Sequence, residues 1–306
     1  MMISNNITVI KLGGSFLASH EALHDVASLA RMNSRAVFVV SAFKGITDRL
    51  VLAFGKDLAA REAMLRDILA YHANLIQSAL PGIAGNLWLP EILYELGPEY
   101  YGMSRFNEFA RKADYDAFVS IGEKMSAAVI SIYLANAGIR CRSVTSDHLG
   151  ISVIEVSGNP IIEIEKSHLR AYPLVKKLLD SGCIPITTGF FGINEAGRIK
   201  TLGRNSSDYS AVAIGAVLRS GEVQLFKDVP GIYSHDPKLI QSGEQHFARI
   251  SYHKALELSR AGSKVIHPMA IITARQHGIS LRIRKYGDSS GGTLVTASPD
   301  FTAAPS

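Results

Sequence analysis

Cysteine is scarce in this chain: Cys141 and Cys183 are the two in 306 residues. They lack Cys-x-x-Cys or nearby histidine spacing, which excludes a disulfide framework and a zinc site and leaves two thiols expected to be buried. Dense basic runs interleaved with aromatics are also missing. The 32 Lys and Arg against 27 Asp and Glu give a scattered net charge of +5, so nucleic acid is not the expected partner. No run reaches the roughly eighteen apolar residues of a membrane span. The opening Met-Met-Ile-Ser-Asn-Asn has no basic stretch followed by an apolar one, so neither membrane nor export is expected and the cytoplasm is the default compartment. Neither Gly-x-x-x-x-Gly-Lys-Ser/Thr nor a correctly placed Gly-x-Gly-x-x-Gly occurs, which removes the P-loop and the dinucleotide fingerprint.

What is present is an ordinary globular composition, 47% hydrophobic and 19% charged, enough for one large domain or two lobes. Short β-branched runs at Ile7 to Ile10, Ala36 to Val40, Ile184 to Thr188, Val223 to Phe226 and Leu281 to Ile283 alternate with helical-period segments. Those segments are Glu21 to Arg31, Ser126 to Ala137, His168 to Leu179 and Ser207 to Leu218. The alternation predicts an α/β fold with a mainly parallel sheet. Residues 50–111, rich in Ala, Leu and Glu and broken by Pro81-Gly82, Pro90 and Gly97-Pro98, read as a helical insertion. Residues 298–306 read as a frayed tail.

Several segments carry chemistry. Lys200 to Ile214 combines a glycine, Arg204, three serines, Asp208 and a helix start; Ser206 or Ser207 can cap that helix, whose N-terminus favours an anion. Read alone, it is equally an ordinary capped turn. Val9-Ile-Lys11-Leu-Gly13-Gly14-Ser15 places a lysine at a strand end before two glycines, a geometry that suits phosphate oxygens or simply a tight turn. In Val39 to Asp48, Ser41 and Thr47 offer hydroxyls at the sheet edge where ligands bind in open α/β folds, unless Thr47 or Asp48 merely caps the next helix. Glu123 sits just before an Ala/Ile-rich helix, where it can meet an ammonium or only the helix dipole. Phe226 to Lys238 ends a strand and enters a loop with Asp228, Tyr233, Asp236 and Lys238, able to hold an adenine and ribose or to form a long surface turn. Ala261 to Pro268 sets Lys264 beside a glycine, which can equally be a helix C-terminus.

In this order the segments resemble the catalytic domain of aspartate kinases, within the amino acid kinase family. The resemblance covers residues 7–296 and rests chiefly on Thr201-Leu-Gly-Arg204 with Ser207-Asp208-Tyr-Ser-Ala211, and on Gly262-Ser-Lys264-Val-Ile-His267-Pro268. It implies a three-layer αβα sandwich in two lobes, residues 1–190 binding the amino acid and residues 191–297 binding the nucleotide. It implies ATP-dependent phosphorylation of the side-chain carboxylate of aspartate. Lys11, Asp208 and Lys264 would be catalytic, the lysines flanking the phosphoryl group and Asp208 orienting them. Ser41, Thr47, Glu123, Arg204 and Ser207 would bind the amino acid: Arg204 its α-carboxylate, Glu123 its ammonium, the hydroxyls its reacting carboxylate. Lys11, Gly13, Gly14, Lys227, Asp228, Tyr233, Asp236, Lys238 and Lys264 would bind ATP, with Mg2+ held mainly by the phosphates and no protein metal site. A homodimer through the first lobe is implied as well.

The chain departs from the family pattern in three ways. Asn205-Ser206 stands where two glycines are usual, beside the reacting carboxylate, so an aspartate analogue or another carboxylate is a rival acceptor. Phe16 replaces a small hydroxyl residue, and Lys227 replaces a threonine, where it could add a phosphate contact. The resemblance ends near Val295 without the paired ACT domains through which aspartate kinases respond to end products, so the expectation is an enzyme without that feedback. A non-catalytic amino acid or nucleotide sensor is the rival from another class, opposed by the intact Lys11, Asp208 and Lys264.

Overall fold

A computed structural model describes residues 7–82, 114–204, 206–233, 246–261, 266–297 and the backbone of 302–303. The first strand, β1 (Thr8–Leu12), pairs in parallel with β2 (Ala36–Val40) on one side and β9 (Glu222–Phe226) on the other. Every residue of β2 is buried, as a strand covered on both faces requires, and this is why its sequence is an unbroken apolar run. The remaining strands of the main sheet are β3 (Cys141–Ser143), β6 (Ile184–Thr188), β10 (Phe247–Ser251), β11 (Ser280–Arg284), β12 (Thr293–Thr296) and β13 (Thr302–Ala303), in the order β13-β10-β12-β11-β9-β1-β2-β6-β3. Two ladders are antiparallel, β11 with β12 and β10 with β13; the others are parallel. Two hairpins stand apart: β4 (Val153–Val156) with β5 (Asn159–Ile162), and β7 (Phe191–Ile193) with β8 (Ile199–Thr201).

Helices cover both faces, which makes the predicted three layers. On one face α1 (Glu21–Met32), α2 (Ile46–Phe54), α3 (Leu58–Ala79), α4 (Tyr115–Val119) and α5 (Ile121–Asn136) pack on Ile10, Leu12, Phe38, Val40 and Ile186. On the other, α6 (Ile164–Asp180), α7 (Ser207–Val217), α8 (Tyr252–Arg260) and α9 (Pro268–His277) pack on Val9, Val39, Val223, Leu225 and Ile283. Alternate strand residues thus feed two separate cores, as the two-residue side-chain period dictates. From Asp208 onward α7 is buried all round, being sandwiched between the sheet and its neighbours α6 and α9.

The five strands read from the sequence are all present, Ala36–Val40 and Ile184–Thr188 with the expected ends and the others with ends shifted by at most two residues. Helix α5 begins at Ile121 rather than Ser126, so Glu123 lies inside its first turn. Of the insertion at residues 50–111, the described part is helical, and residues 83–113 lie outside the described residues. The run Tyr115–Asn136 is long and apolar enough to cross a membrane, with mean hydropathy 1.4, but 78% of it is buried inside the protein; it is a core element. Cys183 is buried while Cys141 is only half-buried, and neither is in a disulfide.

Candidate active site

Three strands deliver their carboxyl ends to one place. Strand β1 ends on Lys11 and Leu12, Ser41 follows β2, and Lys227 follows β9. The chain leaves β1 for β2 on one side and returns to β9 on the other, so the crevice sits at the switch in strand order, where open α/β sheets bind ligands. A cleft of about 770 Å³ opens there. Lys11, Gly14, Ser41, Thr47, Glu123, Arg204, Ser207, Asp208 and Lys227 all line it.

The centre of the cleft is a carboxylate held by two ammonium groups. Lys11 Nζ lies 3.0 Å from Asp208 Oδ1, and Lys227 Nζ lies 2.5 Å from Asp208 Oδ2. Asp208 sits in the first turn of α7, where the helix dipole favours an anion. Burial opposes its ionisation, but the two lysines outweigh burial and hold the carboxyl well below the usual carboxylate range. Burial also lowers the Lys11 pKa, Asp208 opposes that shift, and the Lys227 charge adds to it. Two cations against one anion leave a local positive surplus facing the cleft. The backbone after Lys11 crowds this group: a Cβ on Gly13 would come 2.7 Å from Lys11 Nζ, and one on Gly14 would come 3.1 Å from the Ala42 carbonyl.

Glu123 forms a second, differently tuned acid. Its Oε1 accepts the Ala42 N–H at 3.2 Å, while Oε2 is buried with no partner among the described residues. Burial pushes its pKa up to about 8, against the opposing effect of backbone N–H donors. Such a side chain is a neutral acid in the empty cleft and becomes a carboxylate when a cation arrives. At the mouth, Arg204 reaches across from the loop after β8 and donates through Nη2 to Asp48 Oδ1 at 2.9 Å. Gly203, at φ +85°, makes the turn that sends Arg204 there.

Some expectations change. Ser206 occupies the N-cap position of α7 but makes no capping bond; its hydroxyl donates to the Gly203 carbonyl at 2.7 Å. Gly45, not Thr47 or Asp48, occupies the N-cap of α2. Phe16, which replaces a small hydroxyl residue, packs edge-on against Phe226 and Tyr286, with centroids at 5.8 and 6.0 Å. Gly13, Asp228 and Tyr233 are not on the cleft wall; Tyr233 packs edge-on against His246 at 5.8 Å. Asn205, Asp236, Lys238 and Lys264 lie outside the described residues.

The wall also includes Phe43, Lys44, Asp48, Phe190, Ser259 and His267, to which sequence reasoning gave no ligand-binding role. Phe190 adopts φ +71°, a costly conformation for an aromatic residue that marks a tightly determined corner of the site. Its N–H is held by Ser210 Oγ at 3.1 Å. No periodicity in the sequence signals that conformation.

Residues 6–285 match the sequence model of the amino acid kinase family. The chain belongs to the amino acid kinase family. It is 34% identical to an aspartokinase of Geobacillus stearothermophilus over 185 residues, 60% of this chain and 44% of that one. It is 32% identical to the chloroplastic aspartokinase 3 of Arabidopsis thaliana over 310 aligned positions, 97% of this chain and 54% of that one. The crystal structure of E. coli aspartokinase III in complex with aspartate and ADP superposes with a TM-score of 0.81 at 28% identity, covering 96% of this chain and 65% of that one. The chain therefore spans roughly half to two thirds of the length of these relatives.

Proposed function

We propose that this chain transfers the terminal phosphoryl group of ATP to the side-chain carboxylate of L-aspartate, giving 4-phospho-L-aspartate and ADP. The observation that carries the reading is the buried Lys11–Asp208–Lys227 group in one cleft with Glu123 and Arg204. It agrees with the similarity to aspartokinases, one of them solved with aspartate and ADP. In the reaction a carboxylate oxygen attacks the γ-phosphorus, a new P–O bond forms, and the bond to the ADP oxygen breaks. The acceptor is already ionised at neutral pH, its free pKa being about 4, so no general base is needed. Positioning and neutralisation of phosphoryl charge are the catalytic tasks.

Lys11 and Lys227 supply that neutralisation, together with Lys264 in this reading, and Asp208 holds the described pair in place. Arg204 takes the α-carboxylate, Glu123 the ammonium, and Ser41, Thr47 and Ser207 orient the reacting carboxylate. Residues 1–190 provide the acceptor side and residues 191–297 the nucleotide side, with Asp228, Tyr233, Asp236 and Lys238 assigned to the nucleotide. Both Asp208 oxygens are engaged by ammonium groups, so these residues fit a magnesium ion carried on the phosphate oxygens rather than caged by protein. When bound, that ion supplies further charge neutralisation on the triphosphate. The Ser206 hydroxyl turns back to Gly203, which favours plain aspartate over an acceptor that Ser206 would have to recognise. A homodimer belongs to the same proposal, and light scattering on the eluted protein tests it.

The deciding experiment is ADP release coupled to NADH oxidation with a panel of amino acids, plus trapping of the acyl phosphate by hydroxylamine. Aspartate is expected to give both signals. Turnover with an analogue alone would replace the acceptor. Nucleotide binding without turnover on any carboxylate would overturn the kinase reading.

A further inference from the structure

The Arg204–Asp48 contact joins positions 156 residues apart in sequence and closes over the same cleft that both residues line. Asp48 is in the first turn of α2, a helix fixed by burial of Ile46, Leu50 and Ala53 and by packing against α3 and α4. Arg204 has no such support: it follows the β7–β8 hairpin on an exposed turn, its side chain 68% accessible. The same hairpin is tied to α4 through Thr201, whose hydroxyl donates to Asp116, and through Lys200, which lies 3.9 Å from Asp116. The strap that carries Arg204 is thus fastened twice to neighbouring helices, at its root by Asp116 and at its tip by Asp48.

An arginine offers five donors in a planar fork. The contact with Asp48 is made by Nη2 alone, and it uses one of the five donors, so the second Nη2 proton and those of Nη1 and Nε remain for a second carboxylate. An exposed ion pair of this kind contributes little to stability. Its consequence is geometric: it removes rotamer freedom from a long side chain that would otherwise have to be ordered when ligand arrives.

We propose that Asp48 is a positioning residue for the acceptor, holding the Arg204 guanidinium over the cleft so that its remaining donors receive the α-carboxylate. This rests on the acceptor site proposed above, and it adds to that site a residue that touches no substrate. Asp48 acts on acceptor affinity and leaves the nucleotide side alone.

The test is a double-mutant cycle of Asp48→Asn and Arg204→Ala, read as the Kd of aspartate by calorimetry and as KM and kcat. Asp48→Asn is expected to raise Kd and KM for aspartate by about fivefold, with a smaller change in kcat and none in the KM for ATP. In the Arg204→Ala background the same substitution is expected to add nothing, because the group it positions is gone. Should Asp48→Asn not fold, Asp48→Ser, which keeps a polar side chain in the first turn of α2, takes its place in the cycle. Equal factors in both backgrounds, an unchanged affinity, or a tighter affinity from Asp48→Asn would each overturn the proposal, the last by making Asp48 a competitor for the arginine. Failure of the wild-type protein to bind aspartate would instead strike the acceptor assignment itself.

Discussion

Glu123 gives the sharpest quantitative expectation. The residue is 2% exposed and its pKa is moved from 4.5 to about 8 by burial. At roughly 1.36 kcal/mol per decade, keeping it ionised in the empty cleft costs about 5 kcal/mol. A raised carboxyl pKa stabilises the fold fully below 4.5, and that contribution is lost as pH rises through about 8. The substrate ammonium reverses the balance, since only the carboxylate pairs with it. Below pH 8, binding must therefore expel the Glu123 proton, and the Kd of aspartate should fall about tenfold per unit from about pH 6 to about pH 8 before flattening. Titration calorimetry in buffers of different ionisation enthalpy should find close to one proton released per aspartate near pH 6. Glu123→Gln should weaken binding at pH 8 and abolish both the slope and the proton release. A Kd unchanged between pH 6 and pH 8, or proton release that survives in Glu123→Gln, would refute the reasoning.

Three further outcomes follow from contacts already described. Asp208→Asn leaves the Lys11 and Lys227 ammonium groups without their shared counter-charge; equilibrium urea unfolding should lose about 3–5 kcal/mol, and turnover should fall at least ~100-fold. Lys227→Thr should raise the Kd of ATP about tenfold while leaving that of AMP nearly unchanged, as measured by calorimetry; equal losses for both nucleotides would remove Lys227 from the phosphates. Gly192→Ala would put a Cβ 2.3 Å from the Ile151 carbonyl and 2.8 Å from Val153 Cγ2, and should cost about 1–3 kcal/mol in the same unfolding assay.

The legible parts of this molecule are those set by local chemistry. The unbroken apolar run of β2, the β-branched run of β6 and the three-to-four spacing of α1 marked the layers, because burial on two faces or on one stripe writes itself into the sequence. The candidates that line the cleft, among them Lys11, Ser41, Arg204 and Asp208, stood out through glycine turns and helix starts at strand ends. What stayed hidden is long-range. The short strands β3, β7, β8 and β10 have little periodicity of their own and exist through their partners. Lys227 could be seen as a candidate phosphate ligand, but its bond to Asp208 depends on a turn and a strand meeting 19 residues apart. Asp48 looked like a cap, and its pairing with Arg204 depends on two elements that only the folded chain brings together. The Ser206 hydroxyl, which in the sequence seemed to face the acceptor, is consumed by the turn that presents Arg204.

Charge on the cleft wall ties these pieces together. Lys11, Lys44, Arg204 and Lys227 face Asp48 and Asp208, and Glu123, held protonated below about pH 8, adds nothing to the negative side at neutral pH. The empty cleft therefore carries a cationic surplus that attracts both a polyphosphate and a dicarboxylate. An acceptor without an ammonium group would find Glu123 neutral and gain no pairing from it. In the proposed reaction an amino acid would supply the cation that ionises Glu123, so that its positive and negative ends are both matched while the lysine charge is kept for the phosphoryl group. On the proposed acceptor site, selection for an amino acid would reside in a group that becomes a partner only when the right ligand ionises it, and a buried carboxyl with one oxygen unpartnered among the described residues is the physical form such a selector takes.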